Sequence, residues 1–386
     1  MNQWPMVKLG DVCDIKIGKT PARKNKAYWG VGTPWLSIKD MNQGAVLSTT
    51  SEQITDLAVR ELNITPYPAG TVFFSFKLSI GKVGISTIEL FTNEAIAAIL
   101  PKDSTSLDKN FLMAALRVSG NLTSGNDAVL GQTLNKKSLQ QISIPLPPLE
   151  DQRRIARILG HSTLQNSIVN KTINKLNTAR QGCIEKYVAD PSKTPRLESL
   201  ANLQGGLSLS KTRGVNPVEV EYLRVANIQR NNLILDNLKT IRCTEKELER
   251  CTIKDGDILM LEANANPLEV GRAAVAKVGS RHLVFQNHLF RVRPTEVSPI
   301  VLNALLSSVS VRTQLLRLAK TTSGLNTMTI SQARSLRIPL RDELTTREFE
   351  RQLTRIEQQK KFLAEKQSLL EELHQSLATR AFAGQL

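Results

Sequence analysis

Cysteine, histidine and aromatic residues are scarce in this chain of 386 residues, and each scarcity closes off a class of function. The four cysteines, Cys13, Cys183, Cys243 and Cys251, are too few for a disulfide framework, and none forms a closely spaced C-x-x-C pair of the kind that holds zinc. They read as packing residues. The four histidines, His161, His282, His288 and His374, include neither an i, i+4 pair nor an H-E-x-x-H setting, so no metal site is expected. No apolar run approaches the roughly 20 residues that span a bilayer. Near the N-terminus, Trp4, Lys8, Asp11 and Asp14 interrupt any secretory h-region, which predicts a cytoplasmic protein without a membrane partner. The P-loop, the dinucleotide fingerprint and the G-x-S-x-G turn are all missing. Asn266-Pro267-Leu268 and Asn216-Pro217-Val218 do not complete the Asn-Pro-Pro-aromatic motif of adenine methyltransferases, and Asp255 and Asp257 read as turn residues before a strand. The expectation is a protein that binds and does not catalyse.

Acidic residues are also in deficit. Thirty-five Asp and Glu face 51 Lys and Arg, a formal charge of +16, and such an excess favours a polyanionic partner. At 41% hydrophobic residues the chain has ordinary core-forming capacity, and its length predicts two or three domains.

What the chain does contain is a repeat. Leu9-Gly10-Asp11-Val12-Cys13-Asp14-Ile15-Lys16-Ile17-Gly18 is echoed 188 residues later by Leu197 to Gly206, with apolar positions and the final glycine in register. Trp35 to Met41 parallels Tyr222 to Ile228, and Ala69 to Phe74 parallels Asp255 to Met260. Ile80-Gly81-Lys82 meets Val270-Gly271-Arg272, and Gln132 through Ile144-Pro145-Leu146 meets Asn326 through Ile338-Pro339-Leu340. Five echoes in one order imply a duplicated α+β globule, with strand-like runs at Gly70 to Phe76 and Asp257 to Leu261 and helical stretches at Asn110 to Val118 and Pro299 to Leu318. A pseudo-twofold chain presents two similar surfaces, which suits a partner with two equivalent faces such as duplex DNA.

After each copy the rhythm changes. From Asp151 to about Tyr187, Ile155, Ile158, Val169, Thr172, Leu176 and Ala179 recur at three- and four-residue steps; from Thr345 to Thr379 the same holds for Phe349, Leu353, Ile356, Leu363, Leu370, Leu373 and Leu377. Two long helices are predicted, packed antiparallel as a coiled coil because a domain separates them. A helix of about 37 residues would extend roughly 55 Å, longer than a turn of DNA. The pair therefore reads as a ruler, and inserting or deleting about one turn after Ile168 should alter the gap between two DNA half-sites and not their bases.

The positive excess belongs to the globular copies. Residues 1–149 carry 15 Lys and Arg against 11 Asp and Glu, and residues 191–341 carry 22 against 12. In the first copy Lys16, Lys19, Arg23, Lys24 and Lys26, followed by Tyr28 and Trp29, form the densest basic cluster, and Gly18 and Pro21 mark it as loop. The second offers Lys211, Arg213, Arg224 and Arg230, and the echoed Lys82 and Arg272 add one cation to each copy. Cations neutralise phosphates without reading sequence; base-reading candidates are Asn42, Gln43, Asn227, Gln229, Arg230, Asn264 and Asn266.

Two mixed domains alternating with two long helices, the exit Ile144-Pro145-Leu146-Pro147-Pro148-Leu149-Glu150-Asp151-Gln152, the elements Gly18-Lys19-Thr20-Pro21, Pro34-Trp35-Leu36 and Ile80-Gly81-Lys82, and the ending Arg380-Ala381-Phe382-Ala383-Gly384-Gln385-Leu386 resemble the specificity (S) subunits of type I restriction-modification systems. The second copy departs from that pattern: Arg341-Asp342-Glu343 stands in place of Pro147-Pro148-Leu149, and Ser208 to Ser210 in place of Thr20-Pro21. The resemblance implies target recognition domains over residues 1–149 and 191–341 and helical spacers over residues 150–190 and 342–386. It further implies a noncatalytic subunit reading a bipartite double-stranded DNA target. Two modification (methyltransferase) subunits would bring S-adenosylmethionine, and restriction subunits would bring ATP and Mg2+; this chain would bind no cofactor. The competing readings are a self-sufficient DNA nuclease or methyltransferase, which purified chain with Mg2+ or S-adenosylmethionine would reveal, and a scaffold that binds DNA without sequence preference.

Overall fold

The computed structural model describes residues 4–77, 79–125, 134–322 and 324–385, with side chains left aside at 119–125, 211–212 and 320–322. Two compact units emerge, Met1–Asn170 with Glu365–Leu386, and Lys171–Ala364.

In the first unit a five-stranded sheet runs in the order Cys13–Ile17, Ile96–Pro101, Val72–Ser75, Val83–Ser86, Val46–Leu47. A three-stranded sheet accompanies it, Glu52–Ile54, Trp29–Leu36, Phe91–Thr92. Val72–Ser75 is buried throughout because the strand serves two cores. Val72 and Phe74 face a cluster with Phe111, Leu112 and Leu116 of the helix Lys109–Gly125, while Phe73 faces Leu36, Leu47 and Leu90. Period-two alternation thus hides inside a continuous apolar run.

The second unit repeats this plan. Its four-stranded sheet, Ala201–Gly205, Leu289–Pro294, Ile258–Leu261, Ala273–Val275, follows the first four strands of the other in order, and its three-stranded sheet is Lys239–Cys243, Val218–Leu223, Leu283–Phe285. Ile258 and Met260 again serve one core, Leu259 and Leu261 another. Each copy also clamps its entry to its exit: Met6–Lys8 pairs antiparallel with Ser143–Pro145, and Lys193 and Arg196 form bridges with Leu340 and Arg337. The duplication read from five echoes is therefore a duplication of topology. Gln132 and Thr133 of the last echo lie outside the described residues.

The long helices are Leu149–Val188 and Glu343–Phe382, a few residues longer at each end than their apolar rhythm suggested. In the first unit Ile155 and Leu159 of the central helix share a core with Ala378 and Ala381 of the C-terminal one, and Phe382 packs 5.8 Å from Phe111. In the second, the Tyr187 ring stacks on Phe349 at 4.2 Å, its hydroxyl lies 2.7 Å from Thr346 Oγ1, and Arg180 Nε donates to Glu357 Oε1 at 3.0 Å. Early turns of one helix meet late turns of the other in both units, an antiparallel pairing. Gly160 and Gly182 sit within the central helix, and nothing stands within 4 Å of a Cβ built at either.

The exits explain their own sequences. Gln152 is fully buried: its Oε1 accepts from Asp108 N, and its Nε2 donates to Ser106 O and Pro147 O, each at 2.8 Å. Where the second copy replaces Pro-Pro-Leu, Asp342 caps the following helix by accepting from Thr345 N at 2.9 Å. One expectation is corrected. The helical stretch over Pro299 to Leu318 is two helices, Pro299–Leu306 and Val309–Leu318, bent by 62°. Ser308 Oγ donates to Leu305 O at 2.7 Å and accepts from Val311 N at 3.4 Å, ending one helix and starting the next. Among the described residues no single helix is long and apolar enough to cross a membrane.

Candidate nucleic-acid interface

The basic loop of the first copy leaves its strand at Gly18, where a Cβ would lie 2.0 Å from Thr92 Oγ1 and 2.3 Å from Thr92 O. Gly206 makes the same departure in the second copy, with Gln286 O 2.3 Å from its Cβ position. Only glycine permits so close a backbone approach, which is why both echoes end on it. Beyond Gly18, the Arg23 guanidinium lies 3.8 Å from the Trp29 ring centroid and forks onto both oxygens of Glu52. Trp29 meets Trp35 edge-on at 5.0 Å, and Trp35 Nε1 donates to Lys19 O at 3.2 Å. Arg23 is thus the brace of its loop. Lys24 and Lys26 are exposed on either side of Asn25, whose side chain accepts from Ala27 N, and Lys19 Nζ reaches Leu62 O at 3.2 Å.

Asp40 anchors the next turn. Its carboxylate accepts from Ser37 N at 2.9 Å, Ser37 Oγ at 2.7 Å and Ser51 N at 3.0 Å. Burial pushes this carboxyl up, and the hydrogen bonds from Ser37 and Ser51 outweigh it, leaving Asp40 below the usual carboxylate range. Gln43 is committed as well: its amide donates to Asp40 O and Thr49 O and accepts from Ser48 N and Thr49 N, so it fastens the loop around itself. Asn42, exposed, accepts from Lys82 Nζ at 2.7 Å, and Lys82 also reaches toward Ile38 O at 3.5 Å.

The second copy reproduces parts of this frame. Asn227, which stands where Asp40 stands, is buried; it accepts from Arg224 N at 2.9 Å and donates to Ile234 O at 3.0 Å. Its amide is spent on the turn. Arg272, the counterpart of Lys82, reaches Val225 O at 3.4 Å, and Val225 occupies the position of Ile38. Arg213 forks onto Glu247 with both contacts at 2.9 Å, and Glu247 closes a capping box with Thr244. The Arg213 guanidinium, with the Thr244 backbone N–H, holds the Glu247 carboxyl down to about 2. Arg230 and Arg272 share one carboxylate, Glu269, at 2.9 and 2.8 Å. Arg224 reaches Asn237 O at 3.5 Å, and the exposed Gln229 donates to Ala226 O at 3.3 Å. Asn264 accepts from Asn266 N and Asn266 from Leu268 N, local turns both. The Lys211 side chain lies outside the described residues.

The structure therefore joins Asn42 to Lys82 and Arg230 to Arg272, and keeps Arg213 and Arg224 in separate contacts. Three carboxylate partners, Glu52, Glu247 and Glu269, escaped sequence reading; the links Arg23–Glu52, Arg213–Glu247 and Arg230–Glu269 span distant positions, and only Arg272–Glu269 is local. Arg312 escaped it too; from the helix Val309–Leu318 it donates to Val270 O and Leu268 O, beside Arg230. Among the described residues no group of His, Cys, Asp and Glu is arranged to hold a metal ion, and Asp255 and Asp257 serve their turn, accepting from Val278 N and Lys254 N. What the surface offers chemically is exposed cations and carboxamides on loops braced by internal ion pairs, a combination suited to phosphate and base contacts.

A family model described as type I restriction modification DNA specificity domain matches residues 1–178. The chain is similar to the type I restriction enzyme MjaIX specificity subunit of Methanocaldococcus jannaschii, 30% identical over 163 residues, which cover 42% of this chain and 38% of the relative. It is similar to the HindI specificity subunit of Haemophilus influenzae, 28% identical over 183 residues, covering 45% and 39%. The chain spans about two fifths of the length of these curated relatives. In fold it is similar to the type I restriction-modification S subunit from M. genitalium, with a TM-score of 0.58 at 13% identity over 98% of this chain and 96% of that one. A second structure, from work on complex assembly and conformational transition of the type I R-M system, has a TM-score of 0.55 at 16% identity over 100% and 99%.

Proposed function

We propose that the chain is a type I restriction-modification specificity subunit, the noncatalytic subunit that reads a bipartite double-stranded DNA target for partner enzymes, a reading supported by the specificity-domain match over residues 1–178 and by the similar specificity subunits. Each copy reads one half-site. Two modification subunits carry S-adenosylmethionine and methylate adenine where this chain places them, and restriction subunits carry ATP and Mg2+; the assembly works in the cytoplasm. The observation that carries the reading is the doubled pair of sheets, matched in order over four strands of the larger and three of the smaller, each pair with a glycine-released basic loop braced by an Arg–Glu fork. Two equivalent grips on one chain fit a target that has two separated parts.

Methylation mapping in cells carrying this chain with its modification subunit tests the proposal. The expected result is one bipartite, asymmetric motif with a fixed gap. Methylation of a single continuous motif would overturn the bipartite reading, and cleavage or methylation of DNA by the purified chain alone would overturn the noncatalytic one.

A further inference from the structure

Each copy places a residue of positive φ three positions beyond the matched Met41 and Ile228. In the first it is Gly44, φ 95°, and a Cβ there would meet nothing within 4 Å. In the second it is Asn231, φ 58°. Asparagine tolerates this region and adds a side chain to it. Asn231 occupies the two-residue tip of a hairpin, with Gln229 paired to Asn232 and Ile228 to Leu233, and its neighbour at the tip is Arg230. Its backbone N–H donates to Ala273 O at 3.0 Å.

The Asn231 side chain is gripped from outside the hairpin. Its Oδ1 accepts from Arg180 Nη2 at 3.1 Å and from Asn303 Nδ2 at 2.8 Å. Arg180 projects from the central long helix, is 5% exposed, and is itself fixed by Glu357 of the C-terminal helix at 3.0 Å. Asn303, also 5% exposed, comes from the helix Pro299–Leu306. The first copy has no side chain at Gly44 for a helix to hold, and its loop is fastened internally by Gln43. Equivalent reading loops are therefore immobilised by different means.

We propose that Arg180 is a positioning residue for the second half-site: from the long helix it fixes Asn231, and through it the hairpin tip that presents Gln229 and Arg230 to DNA. A buried, charge-assisted contact inside a low-dielectric site holds geometry better than a solvent-exposed one. Precision in the placement of base-reading groups is what discriminates between bases. The proposal rests on the DNA-reading role given above.

The test uses the chain assembled with its modification subunits and selection from random-sequence DNA, scored separately for each half-site, with a melting temperature for every variant. Wild type must return a bipartite motif; a return of no motif overturns the DNA-reading role itself and this inference with it. Given that motif, Arg180→Met should weaken base preference about tenfold at one half-site and leave the other unchanged. Asn231→Gly, which keeps the backbone conformation and the Arg180–Glu357 pair, should weaken the same half-site, and the double variant should lose no more than either single one. Gln43→Ala should weaken the opposite half-site. Equal loss at both half-sites tracking a lower melting temperature, unchanged preferences, or additive losses in the double variant would each overturn the positioning role while leaving the bipartite reading intact.

Discussion

The two copies of the duplicated fold differ most in how they use positive charge. Residues 1–149 contain 12 lysines and 3 arginines, whereas residues 191–341 contain 7 lysines and 15 arginines. In the first copy Lys24 and Lys26 are exposed, and the single Arg23 braces their loop. In the second, arginine has become building material: Arg213 forks onto Glu247, Arg293 onto Asp257, Arg291 donates to Arg250 O and Thr252 O, and Arg312 to Val270 O and Leu268 O. A guanidinium offers five donors in a planar fork, so one arginine can fork onto a carboxylate in a way that a single ammonium cannot. Net charge alone therefore misranks the copies. The second carries the larger excess, yet much of it is lodged in internal contacts.

If the two frames are equivalent, their anchoring turns should fail alike. Asp40→Ala, which strips the acceptor from Ser37 N and Ser51 N, and Asn227→Ala, which strips the acceptor from Arg224 N and the donor from Ile234 O, are each expected to cost about 2–3 kcal/mol, read as a lower denaturation midpoint. A mild Asp40→Ala beside a severe Asn227→Ala would break the equivalence. The braces should differ more. Glu247→Gln should cost about 1–2 kcal/mol, because Glu247 both pairs with the well-covered Arg213 and closes a capping box. Glu52→Gln should cost under about 1 kcal/mol, because both partners of its pair lie 51% and 37% exposed. Acid sharpens this. Glu247 is held below its ordinary 4.5, so its contribution is complete above pH 4.5 and disappears as pH falls toward 2. The gap in denaturation midpoint between wild type and Glu247→Gln should accordingly close between about pH 6 and about pH 2.5; a constant gap would argue that the pair does not depend on the charge. The last comparison concerns DNA. Lys24→Glu with Lys26→Glu should weaken binding about tenfold near 0.1 M salt, about 1.4 kcal/mol, and flatten the salt dependence by roughly one unit of slope for each phosphate no longer neutralised. Binding measured across a salt series checks it, and an unchanged slope would remove these lysines from the interface.

Much of the architecture was legible because backbone requirements leave fixed letters. Gly18 and Gly206 stand where a Cβ has no room, the Ile-Pro-Leu exits close the entry-to-exit clamps, and Ile155, Phe349 and Leu353 of the helix rhythm pack in cores, whereas Leu373 of the same rhythm is 50% exposed. The candidate site was less legible, since residue type does not reveal direction. Asn227 and Gln43 carry amides suited to a base edge, and the fold spends both on turns. The serines that divide Pro299 to Leu318 resemble tolerable helix residues until Ser308 turns its hydroxyl onto Leu305 O. Links such as Arg180 to Asn231 cross 51 positions and leave no local pattern.

Gly160 and Gly182 carry a final consequence. Each weakens the central helix where an added methyl group would touch no neighbour, since no packing demand explains the missing atoms. Alanine at either position should therefore stiffen the central helix locally, because the added carbon favours the helical backbone and meets no atom within 4 Å.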